Sequence, residues 1–252
     1  MIVRLAVLAL VMCMGPGCSD DPVPVDAAPP DPTDAQPADA AMPDASAGLP
    51  LAGFGGLEGT CGTIDSAALT SPEPQLLHNA LDFANMPYND GLLAELSAGG
   101  QEIYNDGNAG GSSIYSEMFA HEVLHRCELA QLLKTENEII YDTQGKITDF
   151  LVEIQEHKVG VSVTRAFRFP PGDPYTEAHA DELLRDKLAD VQESSANVAA
   201  EDAWVKQILH ILAYEPMHAA SLEAAYDALE PAVRADTIVV VTVTHGQDDF
   251  MY

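Results

Sequence analysis

Eight consecutive residues near the C-terminus, Thr237-Ile238-Val239-Val240-Val241-Thr242-Val243-Thr244, are all β-branched. Such side chains lose rotamer freedom in a helix and pack well on a pleated surface, so the run reads as a strand. Apolar and polar residues do not alternate along it, so both of its faces need cover. That places it at the centre of a sheet with helices on either side. An all-helical bundle is excluded, and the expected class is α/β (α+β), a mixed sheet flanked by helices.

Upstream, periodicity gives a helix over 116–134, with Ser113 or Ser116 as N-cap and apolar residues on both faces. Three strand-like runs follow at 137–141, 146–154 and 159–169, the last two joined as a hairpin through Gln155-Glu156-His157-Lys158. Pro-Pro-Gly-Asp-Pro then breaks the chain, and Thr176 caps a helix with Leu183, Leu184, Leu188 and Val191 inward. Further helices are expected at 201–214 and 217–229, before the final central strand. Ahead of residue 116 the chain reads as a glycine-rich arm (48–62), short helices at 74–83 and 90–97, and a loop over 97–113.

The first residues carry Arg4, an apolar run over 5–14 and small residues before Cys18. The run is too short to span a bilayer and reads as an export signal. Residues 19–47 are almost wholly Asp, Pro and Ala, a composition that cannot bury a core, so they read as an extended tether. The expected organisation is a signal over 1–17, lipid attachment and tether over 18–47, and a single α/β domain over 48–252. Gly15-Pro16-Gly17-Cys18 resembles the bacterial lipoprotein cleavage box, with Gly15 where Leu is common. The resemblance implies a signal peptide removed before Cys18, diacylation of Cys18 with a chain such as palmitate, and a membrane held through the lipid anchor. Ser19 after the cysteine implies the outer rather than the inner membrane of the cell envelope.

Of 40 acids and 11 bases, seven acids lie in the tether and Arg4 in the leader, which leaves the domain with 33 acids, ten bases and a net charge of −23. Such a surface repels phosphate backbones, so nucleic acid is not an expected partner. With Cys13 in the leader and Cys18 acylated, only Cys61 and Cys127 remain, and an exported chain favours their pairing as a disulfide.

The motif with the sharpest chemistry is His121-Glu122-Val123-Leu124-His125. Two histidines at i and i+4 on a helix can hold one zinc, with Glu122 as general base beside its water. In this the segment resembles the zinc metallopeptidases, but Arg126 follows directly where those families carry an uncharged residue. Glu128 and Glu177 are the candidates for a third ligand. Those enzymes also build their sheet ahead of the active helix, where this chain reads as loop and short helix.

The order helix, three-strand meander, helix, strand is similar to the PD-(D/E)XK nuclease-like core over 115–244. That resemblance implies a magnesium site made from a helix glutamate (Glu117 or Glu122), an Asp opening the second strand (Asp149), and an acid and a lysine on the third. Ser162 and Thr164 stand at the last two positions, so the catalytic motif is degenerate. Asp149, Glu153, Ser162, Thr164 and Arg168 are then expected to share a sheet face as a polar cleft. The sequence reading is a tethered lipoprotein whose domain acts as a binding or structural module for a protein or small-molecule ligand, with no cofactor. The alternative is a zinc metallopeptidase using His121, His125 and Glu122.

Overall fold

A computed structural model of the chain describes residues 48–108, 113–169 and 173–251. The leader, Cys18 and the tether lie outside the described residues. Thirteen elements follow one another: β1 (Gly56–Gly59), α1 (Ser66–Thr70), β2 (Gln75–Asp82), α2 (Ala98–Asp106), α3 (Ile114–Glu128), β3 (Gln131–Thr135), β4 (Phe150–Ile154), β5 (His157–Ala166), α4 (Glu177–Asn197), β6 (Lys206–Ala213), α5 (Pro216–Ala228), α6 (Pro231–Arg234) and β7 (Ile238–Val243). The strands form one seven-stranded mixed sheet in the order β1-β2-β7-β6-β5-β4-β3. Strands β2, β7, β6 and β5 run parallel, and antiparallel strands close both ends.

Helices cover both faces, as the uninterrupted apolar character of β7 requires. Met118, Phe119, Val123 and Leu124 of α3 pack on Phe150, Val152, Val161, Ile208 and Val240. On the other face Leu184, Leu188 and Val191 of α4 and Leu222 of α5 pack on Leu209, Ile211, Val239 and Val241. Twelve of the fifteen residues of α3 are buried, matching its apolar character on both sides. Among the described residues no helix is long and apolar enough to cross a membrane.

Several elements differ from the reading by periodicity. The helix expected at 74–83 is instead strand β2 (Gln75–Asp82), because parallel pairing of Leu76 to Ala80 with Val239 to Val243 outweighs a spacing that suits either structure. Residues 201–214 contain β6, also expected as a helix. All eight residues of β6 are buried, and a short run apolar on both faces looks alike as a central strand or a buried helix. The helix expected to reach residue 134 ends at Glu128, where Leu129 turns left-handed at φ 60°, and residues 131–135 become edge strand β3. The strand expected at 137–141 is a single-turn helix at Glu136–Glu138 followed by one bridge from Tyr141 to Val198. Finally, 97–113 is not all loop: Ser97 caps α2 through its side chain. Two strands therefore precede α3, and β2 lies inside the sheet.

The β4–β5 hairpin is tighter than expected. Ile154 pairs with His157, so the turn is Gln155-Glu156 alone, both at positive φ (50° and 66°), the twist that a two-residue turn needs.

Candidate functional site

Helix α3 carries the two-histidine motif, and its neighbours fix each side chain. Ser97 gives both its backbone N–H (2.9 Å) and its hydroxyl (2.5 Å) to Glu122 Oε1, so Glu122 joins the N-terminus of α2 to α3. His121 is buried, its ring edge-on to Phe150 and stacked 6.0 Å from His125. Burial holds the His121 imidazole neutral, pushed down to about 3. Its Nε2 has no hydrogen-bond partner, because α2 closes over it at Gly99. His125 donates from Nδ1 to the carbonyl of Ala130 at 2.9 Å.

The zinc reading can be tested on these contacts. Nε2 of His121 faces glycine backbone, and Glu122 is committed to Ser97. Glu128 accepts from the N–H groups of Gly62 (3.0 Å) and Ile64 (2.9 Å), while Glu177 opens α4 on the opposite face of the sheet. Among the described residues no group of three or more His, Cys, Asp or Glu side chains is arranged to hold a metal ion. The residues present do not fit a peptidase zinc.

The contact at Gly99 yields a prediction. A Cβ there would lie 2.4 Å from His121 Cε1 and 2.9 Å from Leu132 Cβ, closer than side-chain carbons approach without something shifting. Alanine is the better helix former, so a free helix would gain about 1 kcal/mol. Here we expect Gly99→Ala to lower stability by about 2 kcal/mol through overpacking, measured by urea denaturation.

At the head of β4, the backbone N–H of Asp149 donates to Val161, and its Oδ2 accepts from the N–H of Val163 at 2.6 Å. Asp149 thus extends the ladder past the end of the strand. Thr148 Oγ1 lies 3.2 Å from Ser162 Oγ and 3.3 Å from Ser194 Oγ. Burial and then the nearby Glu117 push the Asp149 carboxyl up to about 8, against the Val163 N–H that holds it down, with Glu136 adding to the rise and Lys187 opposing it. Glu117, on the buried face of α3, accepts from Asn108 Nδ2 at 2.8 Å, and burial raises it too. The helix glutamate beside Asp149 is therefore Glu117 and not Glu122.

The five-residue cleft does not converge. Glu153 pairs with Lys158 at the hairpin end, Ser162 lies beside Thr148, and Thr164 pairs with Ile211 of β6. Arg168 comes after the end of β5, ten residues beyond Lys158, or roughly 30 Å along an extended chain.

Asp149 gives the fold a defined pH response. Its carboxyl rises from 3.8 when unfolded to about 8, so its contribution is fully present below 3.8 and is lost as pH rises through about 8. We expect the thermal midpoint to fall by about 5 °C between pH 5 and pH 8.5, and Asp149→Asn to flatten that slope in calorimetry.

A third location arises where β5 and β6 end, the carboxyl edge at which open parallel sheets place ligands. A cavity of about 240 Å³ lies among Phe167, Arg168, Tyr175, His179, Glu182 and Asp186. A second, of about 180 Å³, adjoins it through Phe167 and Arg168 and includes Tyr214 and His218. His218 donates from Nδ1 to the carbonyl of Ala166 at 2.8 Å and stacks on Tyr175 at 4.8 Å. Sequence reading singled out Arg168 for a different cleft and missed the rest. The only signals were the i, i+4 carboxylates Glu182 and Asp186 and an arginine just after a strand.

No family model matches the chain, and no solved structure matches it. One curated relative, the AAC-rich mRNA clone AAC4 protein of Dictyostelium discoideum, is 41% identical over 152 residues, which is 58% of this chain. The matched region spans 22% of that protein's length.

Proposed function

We propose that the chain is an exported lipoprotein, anchored through Cys18, whose α/β domain is a binding module on a nuclease-like scaffold. The observation that carries the scaffold is the run α3, β3, β4, β5, α4, β6. Its four strands are neighbours in the sheet, joined antiparallel, antiparallel and parallel, with α3 and α4 on opposite faces. Binding is favoured over phosphodiester hydrolysis by the state of the three positions that would do the chemistry. Asp149 is tied to Val163 N–H and largely protonated at neutral pH, and Glu117 is held by Asn108. On the third strand Ser162 and Thr164 offer neither carboxylate nor ammonium. In the metallopeptidase alternative, Glu122 would have to leave Ser97 before acting as a base.

The scaffold and the anchor are tested separately. Metal analysis and magnesium titration of the purified chain are expected to give no stoichiometric zinc and a thermal midpoint that shifts by less than about 1 °C. One zinc per chain, lost in His121→Ala, would establish the peptidase instead, and a magnesium-dependent rise abolished by Asp149→Asn would establish a nuclease-type site. For the anchor, intact mass of membrane-extracted protein is expected to give a chain starting at acylated Cys18, with Cys18→Ala released to the soluble fraction. A relative in a eukaryote weighs against the bacterial part of this reading, and an unacylated chain retaining residues 1–17 would overturn it.

A further inference from the structure

The acidity of this domain makes any cation outside an ion pair informative. Lys134, Lys146, Arg185, Lys187 and Lys206 each sit within 4.0 Å of a carboxylate. Arg168, exposed beyond the carboxyl end of β5, has no such partner among the described residues; its Nη1 lies 3.1 Å from His179 Nε2. The same ring is fixed from its other side, where Nδ1 accepts from the backbone N–H of Thr176 at 3.2 Å and lies 3.1 Å from the Thr176 hydroxyl. The capping residue His179 thus stands against one edge of the guanidinium, and the exposed remainder is open to a ligand.

The facing wall has the opposite charge. Glu182 and Asp186, one turn apart on the exposed side of α4, line the same cavity. Like charges at this spacing repel along a helix. Neither forms an ion pair with a base among the described residues, and neither reaches Arg168. Between the two poles lie the half-buried Phe167 and Leu183 and the buried Tyr175, and a second arginine of the lining, Arg165, donates from Nη1 to the carbonyl of Met251. An arginine facing two carboxylates with which it forms no ion pair, across an apolar floor in about 240 Å³ at the carboxyl edge of a parallel sheet, defines a specific complement.

We infer that this cavity binds a small zwitterion of the α-amino acid type, its carboxylate on Arg168, its ammonium on Glu182 and Asp186, and its apolar side chain over Phe167 and Leu183. A planar guanidinium takes a carboxylate through two parallel hydrogen bonds, which sets the orientation. A ligand with only one charge leaves the other pole unmatched, so it is disfavoured against the zwitterion. The inference rests on the reading of the domain as a binding module.

Titration calorimetry on the intact chain tests it with three probes of one shape: L-leucine, 4-methylpentanoate (no ammonium) and 3-methylbutylamine (no carboxylate). Leucine is expected to bind saturably, and each singly charged probe at least about tenfold more weakly. Arg168→Gln and the double variant Glu182→Gln/Asp186→Asn, all at exposed positions, are each expected to weaken leucine by about tenfold without moving the thermal midpoint. Absence of saturable leucine binding overturns the inference, as does 4-methylpentanoate binding as tightly, or an Arg168→Gln variant with unchanged affinity. Those results leave the binding-module reading standing; stoichiometric metal or hydrolysis is what removes that.

Discussion

Replacing Cys61 and Cys127 together by serine is expected to lower the stability of the domain by about 4 kcal/mol. The bridge joins residues 66 apart, and closing a loop of that length removes much of the unfolded chain's freedom. The arm is not held by the bridge alone. Gly62 N–H donates to the carbonyl of Cys127 at 2.8 Å, and Glu128 accepts from Gly62 and Ile64. The variant is therefore expected to keep its circular dichroism spectrum while its urea midpoint falls. Equal midpoints for the oxidised wild type and the serine variant would show that the arm contributes nothing through this link.

Replacing Arg126 by methionine should cost about as much, roughly 3–5 kcal/mol. Its side chain is 2% exposed. Its guanidinium donates from Nε to Leu51 O (2.9 Å), from Nη1 to Phe54 O (3.1 Å), and from Nη2 to Gly55 O (2.8 Å) and again to Leu51 O. Methionine preserves most of the volume but strands those carbonyls, and a buried acceptor without a donor loses its hydration uncompensated. Lysine is expected to recover only part of the loss, because a compact ammonium cannot serve three carbonyls spread across a planar fork. Urea denaturation gives the magnitude, and proteolysis within 48–59 reports release of the arm. A methionine variant as stable as the wild type would mean that the carbonyls find other donors. Because Arg126 and Cys127 hold the same arm, their effects should couple in a double-mutant cycle.

These contacts give a physical role to three consecutive residues at the end of α3. Arg126, Cys127 and Glu128 bind the arm by guanidinium, disulfide and carboxylate in turn. From the sequence, Arg126 was an obstacle to zinc chemistry and Glu128 a weak third ligand. In the fold both face the arm, and the departure from the peptidase pattern at Arg126 has a structural purpose. Burial pushes the Glu128 carboxyl up to about 7, the backbone N–H groups holding it down only in part. Its contribution is thus also lost as pH rises from the unfolded carboxylate range through neutrality.

The nuclease-like reading depended on register, and register was legible. A hairpin turning through 155–158 sets Asp149 opposite the segment 162–166, and the observed turn is two residues shorter, which puts Asp149 opposite Ser162 at the near end of that segment. The polar cleft failed for a reason that alternation alone does not reveal. Sharing a face does not bring residues together when they are spaced along the strand, and Glu153 and Arg168 lie at opposite ends.

The sequence by itself determined the central strand β7, the cover on both of its faces, helices α3 and α4 with the Thr176 cap, the β4–β5 hairpin and the disulfide. Each rests on local chemistry: β-branched side chains, periodicity, a capping hydroxyl, or the two cysteines left to the domain. Tertiary structure alone decided that 75–82 and 206–213 are strands, since runs apolar on both faces satisfy either periodicity until a neighbouring strand supplies the hydrogen bonds. It alone decided the fate of the charged groups as well. The energy of Glu122, Arg126, Glu128 or Arg168 depends on which donors and acceptors stand within hydrogen-bond reach, and residues 25 to 75 positions distant supply the partners of the first three.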